Sequence, residues 1–159
     1  LHANVEVVMT DHATRFIAPL TFEQLTGRRV MVDTFDRNFS HQVEHIALAD
    51  RTDLVIVAPA TGNTLAKLAC GIADTPVTLA VKAHLRNERP VILAVSSNDA
   101  LAANAESIGR LLARRHHYFV PMRQDAPHKK PRSVVADFSL LPQTVEAALR
   151  GEQLQPILL

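Results

Sequence analysis

Apolar and polar positions along this chain change between two periods. "DLVIVA" (Asp53–Ala58) is an unbroken apolar run bounded by an Asp and a Pro. A short run without alternation suits a parallel strand covered on both faces. "VILAV" (Val91–Val95), after Pro90, has the same form. "VEVVM" (Val5–Met9), "RVMVDTF" (Arg29–Phe35) and "HYFVP" (His117–Pro121) read as further short strands. Between the strands the period becomes helical. Leu65, Leu68, Ala69 and Ile72 line one helical stripe. "DHATRFIAPLTFEQLTGR" (Asp11–Arg28) carries Phe16, Ile17 and Leu20 on a helical pattern that breaks at Pro19 and resumes to Gly27. "QVEHIALADRT" (Gln42–Thr52) places Val43, Ile46, Ala47 and Ala49 at helical spacing. Thr75-Pro76 predicts a capped helix running to Arg86. Asp99 predicts the cap of a helix carrying Leu101, Ala105, Ile108, Leu111 and Leu112. "MRQDAPHKKPRS" (Met122–Ser133) reads as a polar loop, and Pro142 opens a last helix with Val145, Ala148 and Leu149 on one side.

Strands alternating with helices predict an α/β fold: a Rossmann-like (flavodoxin-like) parallel sheet, helices on both faces, three layers and right-handed crossovers. The 159 residues suit a single domain, and a hydrophobic content of 47% supports a real core. A formal net charge of +1 speaks against a dedicated nucleic-acid surface. The single cysteine, Cys70, forms no internal disulfide and builds no zinc site alone, which fits a reducing compartment. No apolar run reaches the length of a membrane span. The opening "LHANVEVVM" has no initiator Met and enters a strand at once, so a shortened natural beginning is expected.

Three strand exits are polar: "MTDH", "PATGNT" and "SSNDA". In parallel sheets, ligands bind outside the carboxyl ends of strands, where these exits would gather. A helix start there offers unpaired N–H groups and positive partial charge to an anion. Gly62 admits a close ligand, Asn63 offers a donor and an acceptor, and Thr61 and Thr64 can bond a ligand or simply cap. Thr10, Asp11 and His12 fit a local turn equally well, and Ser96 to Asp99 fit plain capping. Lys67 points back to a ligand or out to solvent. Sequence physics gives His45 no special status. His116 and His117 would point to opposite faces of a strand, which argues against shared metal ligation. Neither a G-x-G-x-x-G nor a G-x-x-x-x-G-K-[ST] signature is present.

"VVMTDHATRFIAPLTFEQLTG", "HIALADRTDLVIVAPATGNTLAKLACGIAD" and the Asn of "VSSND" resemble the FMN-dependent flavoproteins related to phosphopantothenoylcysteine decarboxylase. "PATGNTLAK" is similar to that family's P-A-S-A-N-T-x-x-K pattern, with Thr61 and Gly62 in place of Ser and Ala. His45 matches the family's active-site histidine, and Asn98 the Asn of its P-x-M-N-x-x-M-W pattern. From Asp53 onward, "SSNDAL", "QDAPHKKP" and "LLPQTVEAAL" resemble the dipicolinate synthase B subunits of this family.

That resemblance implies a cytoplasmic protein in the mother cell of a spore-forming bacterium. It would take part in oxidising a dihydrodipicolinate-type precursor to dipicolinate during sporulation. The A subunit of dipicolinate synthase would be its partner, with NADP reached through that partner, and the chain would form a homo-oligomer. FMN would be lined by Thr10, Thr61, Gly62, Asn63, Thr64 and Ser96. Asn98 would face the substrate, His45 would act as acid or base, and Lys129, Lys130 and Arg132 would meet a small dicarboxylate. No metal, nucleic acid or membrane is implied. Two departures stand out. "VSSNDALA" lacks the Pro, Met and Trp of the family's substrate clamp, and the family's first strand with its Gly/Ser-rich turn is missing. The competing readings are an FMN-dependent decarboxylase and a non-catalytic structural partner of the catalytic chain.

Overall fold

A computed structural model describes residues 3–33 and 44–159, with backbone alone for residues 44–46. In chain order the elements are α1 (Asp11–Thr14), α2 (Pro19–Thr26), α3 (Glu44–Arg51), β1 (Val55–Ala60), α4 (Gly62–Cys70), α5 (Pro76–Leu85), β2 (Val91–Ser97), α6 (Ala105–Leu112), β3 (His117–Phe119), β4 (Met122–Arg123), β5 (Val134–Ala136) and α7 (Leu141–Leu149).

β2 is the hub. Val91 to Val95 are all buried without alternation, as the sequence predicts for a strand covered on both faces. Val91, Leu93 and Val95 pack with Leu65, Leu68, Val81 and Leu111 of α4, α5 and α6. Ile92 and Ala94 point the other way, to Ala148 and Val145 of α7. β1 runs parallel along one edge, with Val55 opposite Val91 and Val57 opposite Leu93.

The other edge of β2 is divided between two strands. β3 lies parallel to Val91–Leu93, whereas β5 lies antiparallel to Ser96 and Ser97. Val120 still donates to the Leu93 carbonyl at 3.1 Å. Pro121 has no N–H to continue the ladder, so the chain leaves β2 there. It re-enters as β4, paired antiparallel with β5. The fold is therefore the expected α/β arrangement, with a parallel core and a short antiparallel margin. Sequence patterning treats Met122–Ser133 as loop because strands of two and three residues carry too few positions to show a period.

Other expectations need correction. Val5–Met9 and Arg29–Asp33 meet at one parallel bridge, Val8 to Met31, rather than as full strands. Each has just the other beside it among the described residues, and a lone two-stranded ladder is marginal. Thr34, Phe35 and Val43 lie outside the described residues, as do the side chains of His45 and Ile46. Glu6 tethers this segment by accepting from Arg28 at 2.9 Å and from Arg51 at 2.9 and 2.7 Å. The Arg51 bonds hold its carboxyl below the usual range. Pro19 does open α2 and Gly27 closes it at φ 67°, yet α2 buries none of its residues. Phe16 is 88% exposed and Leu25 78%. Thr75 caps α5 as expected, and the structure adds a reciprocal box with Thr78. α6 begins at Ala105 with Asn104 before it, not at Asp99, and Leu101 stays exposed. α7 buries Thr144, Ala147 and Ala148, while Leu149 is exposed.

His84 of α5 is fully buried. Its Nε2 lies 3.2 Å from the Pro90 carbonyl, and its Nδ1 has no partner among the described residues. A carbonyl only accepts, so Nε2 carries the proton and Nδ1 is a bare acceptor. Burial pushes the ring below its ordinary value, with Arg89 adding to the effect and Asp53 opposing it. The unfolded chain then takes up a proton near pH 6.5 that the fold refuses. His117, also depressed by burial, acts in the same direction. Stability is therefore full above about pH 6.5 and falls as pH drops through that value. Urea denaturation between pH 8 and pH 5.5 checks this, and His84→Leu is expected to flatten the slope relative to the parent.

Candidate functional site

The carboxyl ends of β1 and β2 open on the same edge. β1 ends at Ala60 and α4 starts two residues later. Thr61 occupies the cap position in extended conformation (φ −75°, ψ 159°), but its hydroxyl makes no capping bond. It lies 3.3 Å from the Thr64 hydroxyl instead. The first bond of α4 runs from Leu65 N–H to the Thr61 carbonyl. The N–H groups of Gly62, Asn63 and Thr64 are thus not quenched by the cap, and Asn63 is exposed beside them.

Beneath this helix start lies a polar cluster. The Asp99 carboxylate accepts from Ser97 Oγ at 2.6 Å and from Asn104 Nδ2 at 2.7 and 2.8 Å. Those bonds, the Ser97 one foremost, hold Asp99 below the usual carboxylate range. The amide of Asn104 is pressed against Gly62. A Cβ built on Gly62 would lie closer than 3.0 Å to Asn104 Nδ2 and 2.9 Å from Ser97 Oγ. Gly62 is therefore glycine for room, not for an unusual dihedral. Where the family pattern has Ala, this chain gives the space of the methyl group to an Asn side chain.

Asn98, between Ser97 and Asp99, is exposed. With Lys130, Pro131 and Arg132 it lines an open cleft of about 380 Å³. The basic segment is not a free connector. Leu101 N–H donates to the Arg132 carbonyl at 3.0 Å, Gln124 Nε2 to the Pro131 carbonyl at 2.9 Å, and Lys130 Nζ to Asp125 at 3.3 Å. Lys129 and Lys130 N–H groups both turn back to the Ala126 carbonyl.

The structure thus gathers Gly62 with the Ser97–Asp99 turn, and Asn98 with Lys130 and Arg132. Thr61, Asn63 and Thr64 sit at the same helix start. Ser96 is half-buried in the ladder opposite Val135. Lys129 is exposed and adjacent to the cleft in sequence, without lining it. Thr10 spends its hydroxyl on α1, accepting from Ala13 N–H at 3.1 Å, which is the local-turn reading. Lys67 pairs with Asp74 at 2.8 and 2.9 Å, which is the outward reading. His45 belongs to α3. Among the described residues, no group of three or more His, Cys, Asp or Glu side chains could hold a metal ion, and no helix is long and apolar enough to cross a membrane. Ser97 and Asn104 escape a reading by period because they lie in or beside a turn. The available signal is Gly62, whose missing methyl asks what fills its place.

The family model described as Flavoprotein matches residues 1–121, and the chain belongs to that family. Within it, the chain is 51% identical over 106 residues to the B subunit of dipicolinate synthase from Bacillus subtilis, covering 67% of this chain and 53% of that protein. It is 46% identical over 96 residues to the coenzyme A biosynthesis bifunctional protein CoaBC of the same organism, covering 60% of this chain and 23% of that protein. The chain thus spans about half the length of the first relative and about a quarter of the second. Among solved structures, the dipicolinate synthase B subunit from Bacillus halodurans matches with TM-score 0.71 at 34% identity, covering 96% of this chain and 93% of that one. The FMN-dependent cysteine decarboxylase SpaF matches with TM-score 0.72 at 28% identity, covering 91% and 77%.

Replacing Gly62 by Ala is expected to destabilise the protein by about 1–3 kcal/mol, the usual cost of overpacking. The displaced Asn104 amide is tied at both Asp99 oxygens and cannot swing away freely. Thermal and urea unfolding of the variant against the parent measure this.

Proposed function

We propose that this chain is a B-type subunit of a dipicolinate synthase, holding FMN at the start of α4 and taking part in oxidation of a dihydrodipicolinate-type precursor. The observation that carries the reading is the juxtaposition of uncapped helix donors with a cleft lined by Asn98, Lys130 and Arg132. The donor set fits the cofactor. N–H groups at a helix start suit phosphate or an electron-rich ring edge, and Asn63, Thr61 and Thr64 add neutral donors and acceptors. Similarity to B subunits of two Bacillus species supports the same assignment.

When bound, FMN supplies a two-electron acceptor able to take a hydride from a dihydropyridine ring. The protein's own part is binding and orientation. Lys130 and Arg132 offer cationic donors to the two carboxylates of the substrate. Lys129, beside them, adds positive potential. The Asn98 side chain, with one donor pair and one acceptor, orients the diacid toward the start of α4. Ser96, in the β2 ladder, and Thr10, which caps α1, enter the proposed cofactor set on family likeness alone. His45, the acid–base candidate supplied by family likeness, would take the ring proton that accompanies hydride loss. The A subunit of the synthase, with NADP, is the proposed partner. Assembly into a homo-oligomer in the mother-cell cytoplasm belongs to the same proposal.

A decarboxylase reading is supported by the likeness to CoaBC and SpaF. The clamp segment "VSSNDALA" weighs against it: the Pro becomes Val95, the two Met become Ser97 and Leu101, and the Trp becomes Ala102. Carbon dioxide release from a cysteine-containing acid in the presence of FMN separates the two readings.

The natural full-length protein, combined with its A-type partner, is expected to form dipicolinate, followed by ultraviolet absorbance, only when this chain is present. Arg132→Ala and Lys130→Ala are each expected to raise KM about tenfold or more with little change in kcat, the signature of lost uniform binding. Product formation that is indifferent to this chain would sink the proposal.

A further inference from the structure

Three parts of the edge are joined through one carboxylate. Asp99 accepts from Ser97 at the end of β2 and from Asn104 at the start of α6. Asn104 in turn fills the space beside Gly62 at the start of α4. The Asp99 carbonyl accepts from Ala102 N–H at 2.9 Å and Asn104 N–H at 3.2 Å, which closes the turn that presents Asn98. Two residues beyond Asp99, Leu101 N–H holds the basic segment through the Arg132 carbonyl. Ser97 is buried, so its hydroxyl is fixed rather than water-averaged.

We propose that Asp99 is the positioning residue of the site: its carboxylate locks the turn after β2 against Gly62, and so sets the α4 start, Asn98 and the Arg132 segment in one geometry. This rests on the proposed function for the identity of the ligands, but not for the mechanical linkage itself. Asp99 makes no ligand contact in this scheme. It acts by accepting from the Ser97 hydroxyl and the Asn104 amide in a half-buried place, and networks of that kind fix a single arrangement. Its ionised form is needed, because each oxygen must accept. Asp99→Asn converts one acceptor into a donor facing the Asn104 amide or the Ser97 hydroxyl.

The test uses the full-length protein with Asp99→Asn, Asn104→Ala, Gly62→Ala and the double Gly62→Ala/Asn104→Ala. In Asp99→Asn, amide hydrogen exchange is expected to quicken together at Leu65 of the α4 start and at Leu101 and Ser133, which hold the basic segment, by roughly tenfold, with Val91–Val95 unchanged. FMN affinity, read by flavin fluorescence, is expected to fall roughly ten- to a hundredfold, as for a site displaced by about an ångström. The double variant should bind FMN as Asn104→Ala does, because the new methyl takes space the amide has left, whereas independent effects would multiply. The proposal is overturned if Asp99→Asn leaves either segment unaltered, or if Val91–Val95 quicken equally, which marks a general loss of stability. If the parent protein takes up no FMN, the functional reading fails, and the exchange measurement alone still decides the positioning role.

Discussion

The fold depends on satisfying a backbone that is dry on both sides. β2 is buried over its first five residues, so its N–H and C=O groups must all be paired within the sheet. β1 provides this along one edge. On the other edge the chain uses two partners, β3 for the first half and β5 for the second, with Pro121 at the handover. The change of partner has a structural effect beyond pairing. It brings β5 and the segment before it alongside the last residues of β2, where a parallel neighbour would have continued upward. Lys130 to Ser133 therefore arrive beside Asn98 as a consequence of how the backbone is satisfied.

The same economy governs the polar edge. An exposed turn after a buried strand must stop somewhere, and it stops on an ionised carboxylate held by a hydroxyl and an amide. Depression of the Asp99 carboxyl arises from these bonds, not from a neighbouring cation. Lys67 and Asp74 neutralise each other at the far end of α4, and Lys130 is shared with Asp125, so the positive charge of the cleft is carried chiefly by Arg132. Flavin and diacid chemistry, as proposed, would thus be served by a neutral donor set on one side and a cationic cleft on the other.

Much of this was legible in residue order. The run at Pro90 announced β2 because two-sided burial leaves no polar position to confuse the period. The run at Asp53 announced β1 too, but there the expected two-sided burial fails, since Ile56 and Ala58 are exposed on one face. Thr75-Pro76 announced α5 because its cap is a local interaction. The stripe Leu65, Leu68 and Ala69 was readable for the same reason, although Ile72 falls past the helix end. The exits after β1 and β2 were readable as candidate site material, since a strand end needs little polarity of its own. What escaped was non-local. β4 and β5 exist through each other and β2, not through pattern. Asp99 looked like a helix cap because Asp in that place usually is, but Asn104, five residues on, competes for its carboxylate. Thr10 carried no mark to distinguish a ligand contact from the local cap it forms.

The crowding of Gly62 by Asn104 also constrains how such a chain can change over generations. A methyl at the first position is tolerable once the second has been shortened, and a long amide at the second is tolerable while the first is bare. The two routes between a Gly–Asn chain and an Ala–small-residue chain are therefore unequal, one passing through a collision and the other through a void. In a chain packed like this one, shortening the amide or baring the Gly position first avoids the collision, so the packing favours one order of substitution over the other.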